Sequence, residues 1–252
     1  MRSVASFIGT SNYRGVIFTT LLLTTIIIIW SPLKLLAQDS IGYYSPGTPP
    51  AGIKSFDPLI AKRWDFTGNQ AAKIANHWPI CLKKDVIVDN RSVVFLGDPA
   101  FAPAGGANLN ATHQACQISS SHLLYLIVYG GECSQGEFPG ESIPQLLNCA
   151  QDSNKVMKLM QVKVDGTDVS SKILRESTSA PFIWSLRSSD NAFNLKIPCC
   201  CCCGESMGED YFLLFKPLPI GYHTITVEVI RVPLQANQPV EHDLAKWDIN
   251  VV

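Results

Sequence analysis

From Asp85 to the C-terminus, the apolar residues of this 252-residue chain fall in short β-branched and aromatic runs, and that pattern constrains the fold more than any other feature. The clearest run is His223-Thr224-Ile225-Thr226-Val227-Glu228-Val229-Ile230. In an extended segment Ile225, Val227 and Val229 share one face, and Thr224, Thr226 and Glu228 share the other. Such a chain hides its apolar atoms by forming sheets. Val86, Val88, Val93, Phe95, Leu123, Tyr125, Ile127 and Tyr129 lie in similar runs broken by Gly, Pro and Asn. Val162 to Asp165 alternates into a turn at Gly166, and Phe182 to Leu186, Phe193 to Ile197, Tyr211 to Phe215 and Leu244 to Val251 follow. Together they predict a mainly β fold, an antiparallel β-sandwich of about eight to ten strands.

Two short helices are expected within this pattern. Asp57 is placed as an N-cap with Pro58 at the first helical position, and Leu59, Ile60, Arg63 and Trp64 follow at helical spacing. Gly68 stops that helix, and 71–78 resumes a turn or two. Ser142 caps the second helix, Pro144 fits its first turn, and Leu146, Leu147 and Ala150 form its apolar stripe.

The N-terminus sets the compartment. Val16 to Trp30 is apolar apart from threonines, with Arg2 and Arg14 before it and no acid until Asp39. A basic leader, an apolar middle and small or polar residues at Ala37-Gln38 make an export signal over residues 1–37. Cleavage after Ala37 is favoured, although Leu35 fits the small-x-small rule poorly. The other reading is an uncleaved anchor through residues 16–36, long enough to cross but interrupted by Pro32 and Lys34. In either case the two arginines direct the remainder outward. Removing residues 1–37 takes away three cations and no acid, so the formal charge moves from -1 to -4. A mildly acidic product has no electrostatic reason to seek nucleic acid or anionic lipid. Residues 38–58, rich in Pro, Gly and Ser, read as a tether, and 59–252 as one β-sandwich domain.

Outside the cell, isolated cysteines are first a disulfide framework. Cys81, Cys116, Cys133 and Cys149 form an even set with three possible pairings, and no CxxC-like pair among them suggests a metal. Cys133 and Cys149 bracket a Gly- and Glu-rich loop that is easily closed, which leaves Cys81 with Cys116. Cys199 to Cys203 is different, because five adjacent cysteines cannot pair neatly with one another. The run offers the spacings that soft ions use, so Cys199, Cys201 and Cys202 are the candidate ligands for copper(I) or zinc. Its other readings are intermolecular cross-linking and a loop without a role, set between the 193–197 run and Tyr211.

Other chemistry is thinly represented. His77, His113, His122, His223 and His242 show no HxH or HExxH spacing, and His122 and His223 read as structural hydrogen-bonders in a strand and at a hairpin base. There is no GxSxG elbow and no Gly-rich phosphate loop. Glu132, Glu137 and Glu141 lack the dense ladder of a calcium loop and read as a solvated acidic loop. Asn90-Arg91-Ser92 and Asn110-Ala111-Thr112 are glycosylation sequons.

Seven blocks carry a family resemblance: Phe95-Leu96-Gly97, Cys116-Gln117-Ile118, Glu132-Cys133, the Leu146-to-Ala150 stretch, Val164-Asp165-Gly166, Ala180-Pro181-Phe182 and Leu218-Pro219-Ile220-Gly221-Tyr222-His223. In this order, from Trp64 to Val251, they resemble a family of exported microbial β-rich proteins that carries no assigned activity. Ser119-Ser120-Ser121-His122 and the five-cysteine run depart from that pattern. The resemblance implies fold and compartment and no reaction. The chain is therefore expected to be an exported or cell-surface β-sandwich, a non-catalytic binding or structural module with an extracellular partner. The alternative is a copper- or zinc-binding or redox protein built on Cys199–Cys203.

Overall fold

The computed structural model describes residues 41–69, 83–96, 109–186, 204–232 and 240–252, with the backbone alone for 109–114. Among the described residues eleven strands form two sheets. The first runs β1 (Lys83–Val88), β2 (Arg91–Leu96), β4 (Leu123–Ser134), β9 (Glu205–Phe215) and β7 (Leu174–Ser177), with β8 (Phe182–Ile183) also paired to β9. The second runs β3 (Leu109–Ile118), β11 (Glu241–Val251), β10 (Gly221–Arg231), β5 (Met157–Val164) and β6 (Thr167–Asp168).

Both sheets are mixed, which corrects the expectation of antiparallel pairing throughout. β2 pairs parallel with β4, and β3 pairs parallel with β11. The reason is topological. After the β1–β2 hairpin the chain enters the second sheet as β3 and returns beside β2 as β4. Parallel neighbours need a long crossover, and β3 is part of it.

The sheets share one core. Val94, Leu96, Leu124, Leu126, Leu213 and Phe215 from the first meet Val162, Ile225, Val227, Val229, Trp247 and Ile249 from the second. β10 behaves as its alternation predicts, with His223, Ile225, Val227 and Val229 inward. β4 does not alternate: Leu123 to Val128 are all buried, because this strand is covered on both faces. Its second face carries Leu123, Tyr125 and Ile127 and lies under helix α1 (Asp57–Gly68), through Leu59, Ile60 and Trp64. Helix α2 (Ile143–Ser153) has the predicted start, with the Ser142 N–H donating to Gln145 Oε1 at 2.9 Å and Pro144 in the first turn.

Three local expectations need correction. The stretch expected to be a tether is docked from residue 41 onward. Tyr44 N–H donates to Leu214 O, Lys216 N–H donates to Gly42 O, and Ile41, Ile53 and Phe56 are buried. Its apolar residues are few, but Tyr43 and Phe56 pack against Phe215 and Phe212 of β9 and Ile53 joins the cluster under α1 near the β1–β2 turn. At α1, Phe56 occupies the N-cap and Asp57 lies inside the first turn. The Asp57 carboxylate instead accepts from the Ser179 N–H and hydroxyl, at 3.2 and 2.6 Å, and so ties the helix start to the segment after β7. His122 sits in the turn before β4 rather than in a strand. The expected 71–78 turn, the 193–197 strand and the 1–37 leader lie outside the described residues, and among those described no helix is long and apolar enough to cross a membrane.

One charged pair anchors α1. Arg63 and Asp210 are fully buried, with Nε 3.7 Å from Oδ2, and the Tyr125 hydroxyl donates to the same Oδ2 at 2.8 Å. The Arg63 guanidinium also lies 3.7 Å from the centre of the Trp64 ring. Gly130, opposite Asp210 in the ladder, makes this possible, since a Cβ there would meet Asp210 Oδ1 and sit 3.2 Å from Arg63 Nη2. Removing one member of a buried ion pair strands the other, which costs about 3–5 kcal/mol. Asp210→Ala is therefore expected to lower unfolding stability by about that amount in urea titrations, whereas an exposed control such as Asp85→Ala should change it by less than about 0.5 kcal/mol.

Candidate functional site

At one end of the molecule two of the sequence blocks meet. Asp165 closes the β5–β6 turn in a left-handed conformation, φ 51°, and Gly166 follows at φ 84°. The Asp165 carboxylate faces His223 Nδ1 at 2.9 Å and accepts from the Thr224 N–H at 2.8 Å. His223 Nε2 lies 3.0 Å from Pro219 O, so the protonated ring donates from both nitrogens and bolts the 216–220 loop to the turn. The hydrogen bond to Asp165 is the main reason the His223 pKa is raised, outweighing its burial. Burial alone would raise Asp165, but the His223 and Thr224 hydrogen bonds together hold it below its usual value. Above this clamp Ile220 is 76% exposed and Tyr222 84%, so the end of the loop and the start of β10 carry a large aliphatic and a large aromatic side chain into solvent. Val252, half-exposed, follows Val251, which pairs with Gly221 beside them, and the Ser120 N–H donates to Val252 O at 2.7 Å.

A second polar site lies at the far end of β4. Beyond a bulge at Val128, the pairs Glu132–Gly208 and Ser134–Ser206 stand directly opposite each other. Residues two apart on a strand and residues directly opposite share a face, so Glu132, Ser134 and Ser206 all project to the side covered by α1. Trp184 Nε1–H donates to Glu132 Oε1 at 2.9 Å, and the Ser134 hydroxyl donates to Glu137 Oε2 at 3.0 Å. Burial first, and then the neighbouring Glu137, push the Glu132 carboxyl up to about 7, against hydrogen bonds from Trp184 and Ser206 that favour its charged form. The opposite face of the same segment is stapled. Cys133 is bonded to Cys149 with Cα atoms 6.0 Å apart, and packs with Leu146 and Met207. Glu209, also buried, accepts from Asn154 Nδ2 at 2.9 Å, Ser177 Oγ at 2.9 Å and Arg175 Nη2 at 3.1 Å. That network holds the end of α2 against β7.

The predicted site residues are dispersed. The Cys133–Cys149 bridge is present, and Cys116 is disulfide-bonded, while Cys81 lies outside the described residues. Cys199, Cys201 and Cys202, with the copper or zinc expected there, also lie outside them, as does His77. His242 pairs with Glu228 at 2.8 Å on the outer face of the second sheet. Glu132 belongs to a strand and only Glu137 and Glu141 to the loop after it. Among the described residues no three His, Cys, Asp or Glu side chains gather to hold a metal. The Asn90 sequon sits in the exposed β1–β2 turn, where Asp89 and Asn90 both have positive φ.

No family model matches the chain, and no curated protein matches it. Among solved structures, 56% of the chain aligns with 86% of a cysteine protease inhibitor from Entamoeba histolytica at 10% identity and a TM-score of 0.20. A further 55% alignment covers 89% of Amebosin in solution at 14% identity and a TM-score of 0.19. Overlaps this slight assign no role.

The clamp has a pH signature. A raised His223 pKa gives stabilisation that is complete below the unfolded value of 6.5 and is lost as pH rises through the folded one. A lowered Asp165 pKa gives stabilisation present above 3.8 and lost as pH falls through the folded one. The gap in thermal midpoint between wild type and His223→Phe should therefore be widest between 3.8 and 6.5 and narrow on either side. A gap independent of pH from 4 to 9, by calorimetry, would show that His223 acts by packing alone.

Proposed function

We propose that this chain is an exported or cell-surface β-sandwich that works as a non-catalytic binding module, with the 216–220 loop and the start of β10 as its contact surface. One observation carries the reading: Ile220, at the end of a loop pinned by His223 and Asp165, and Tyr222, at the start of β10, both stand in solvent. Tyrosine joins a wide apolar surface to a polar tip, and such residues dominate binding energy when a partner desolvates them. A loop already fixed gives up little conformational entropy on association. Support for the sandwich comes from two mixed sheets packed through one core. Support for the compartment comes from the Cys133–Cys149 bridge, since such bonds persist in oxidising surroundings.

Two measurements test it. Edman sequencing of the mature protein recovered from culture medium should begin near Gln38, and a soluble full-length protein confined to the cytosol would sink the compartment. Fluorescently labelled mature protein should be retained by intact producing cells, and the Ile220→Ser/Tyr222→Ala double variant should lose about tenfold or more of that retention, two anchors being worth well over 1.4 kcal/mol together. Its unfolding midpoint should stay unchanged, because both side chains are exposed. Equal retention of the two proteins refutes this contact surface.

A further inference from the structure

We infer that Asn90 is a site of N-glycosylation, with the first sugar of the glycan seated on Ile87. Such a modification rests on the exported reading, because a membrane-bound transferase and its sugar donor meet a chain only as it crosses the export membrane. The sequon Asn90-Arg91-Ser92 supplies the acceptor amide and the hydroxyl two residues on that the transfer requires. The amide nitrogen of Asn90 attacks the anomeric carbon of a lipid-diphosphate-linked oligosaccharide. A carbon–nitrogen bond forms as the bond from that carbon to the diphosphate oxygen breaks. The amide loses a proton, the lipid diphosphate leaves, and nothing is oxidised or reduced.

The fold presents this amide openly. Asp89 and Asn90 are the central residues of the β1–β2 turn, with φ of 45° and 70°. Asparagine takes this left-handed backbone more readily than most residues, so the turn by itself accounts for Asn90. It does not account for Ser92, which stands in β2 before the apolar Val93-Val94-Phe95-Leu96. The Asp89 carboxylate accepts from the Lys54 N–H at 3.2 Å, while Asn90 is exposed and its amide makes no hydrogen bond among the described residues. The other sequon begins at Asn110, inside β3, whose backbone runs paired with β11. A hairpin tip accommodates a bulky branched group more easily than a paired strand does.

The second observation is Ile87. It stands directly across from Ser92, so the two side chains share a face beside Asn90. Ile87 is 65% exposed, whereas Val88 on the opposite face is buried. Among the described residues β1 is an edge strand of its sheet. Exposed edges invite pairing with other chains, and charge, proline or a covering group normally blunts them. Lys83, Lys84 and Asp85 supply charge to the first half of β1, but Val86-Ile87-Val88 next to the turn carries none. A pyranose ring has an apolar face of C–H groups. Laid from Asn90 along β1, it covers Ile87 and shields that edge.

Mass spectrometry of the exported protein from its own producing cells tests the site directly. Trypsin cuts after Lys84 and Arg91, and the wild-type peptide 85–91 should carry added saccharide mass. Ser92→Ala and Asn90→Asp should both lose that mass, and Asn90→Asp keeps a residue that tolerates positive φ, so the turn survives. The thermal midpoint of glycosylated wild type should exceed that of Asn90→Asp, and the gap should close in an Ile87→Ser background. An unmodified 85–91 peptide in protein that begins near Gln38 overturns the proposal and leaves the export reading standing. An unmodified full-length protein confined to the cytosol overturns both. A midpoint gap of the same size with Ile87→Ser overturns the seat on Ile87.

Discussion

The fold depends on the buried Arg63–Asp210 pair, because it joins the helix that covers the first sheet to β9, an interior strand of that sheet. A helix resting on an apolar face can slide, since hydrophobic contact has no direction. A guanidinium stacked on Trp64 and set against a carboxylate that Tyr125 also holds has only one register. The desolvation penalty of such a pair roughly cancels its attraction. What it contributes here is position rather than net stability, and that position fixes which residues of β4 and β9 lie under α1.

Two adjacent glycines let both faces of β4 be used at this point. Gly130 leaves room for the ion pair on one side. Gly131 does the same on the other, where a Cβ would run into Ala150 O and Ser153 Oγ of α2. The bulge at Val128 sets the alternation beyond it, sending Glu132 and Ser134 to the α1 side and Cys133 to the α2 side. The disulfide and the acidic site thus share three consecutive residues and never compete for space.

Legibility in the sequence follows how many faces of a strand are buried. β10 meets solvent on one side, so its alternation was readable residue by residue, and the Ser142–Gln145 start of α2 was equally plain. β4 is buried on both sides, and its continuous run Leu123 to Val128 shows a strand without showing its neighbours. Parallel pairing of β2 with β4 depends on where β3 goes, and no local pattern encodes that. The docking of residues 41–56 escaped for a related reason. Four or five apolar residues spaced among Pro and Gly have no period, and only the slot they fill reveals them.

The functional residues divide in the same way. The V-D-G and L-P-x-G-x-H blocks were visible separately, but their meeting through Asp165 and His223 needs β10 laid beside β5. Glu132 looked like one member of an acidic loop. Its strand position, two residues before Ser134 and across from Gly208, makes it part of a buried polar corner instead. The missed signal was the alternation of Glu132, Cys133 and Ser134 itself, polar on one face and sulfur on the other. A single acid placed among apolar neighbours on a packed face must have a partner, because burying it alone would cost far more than one contact returns. That requirement links the corner to the rest of the fold: the Cys133–Cys149 staple and the Glu209 network hold α2 on the opposite face of β4. Relief has to come to Glu132 from its own side of the sheet, through Trp184, Ser206 and Glu137.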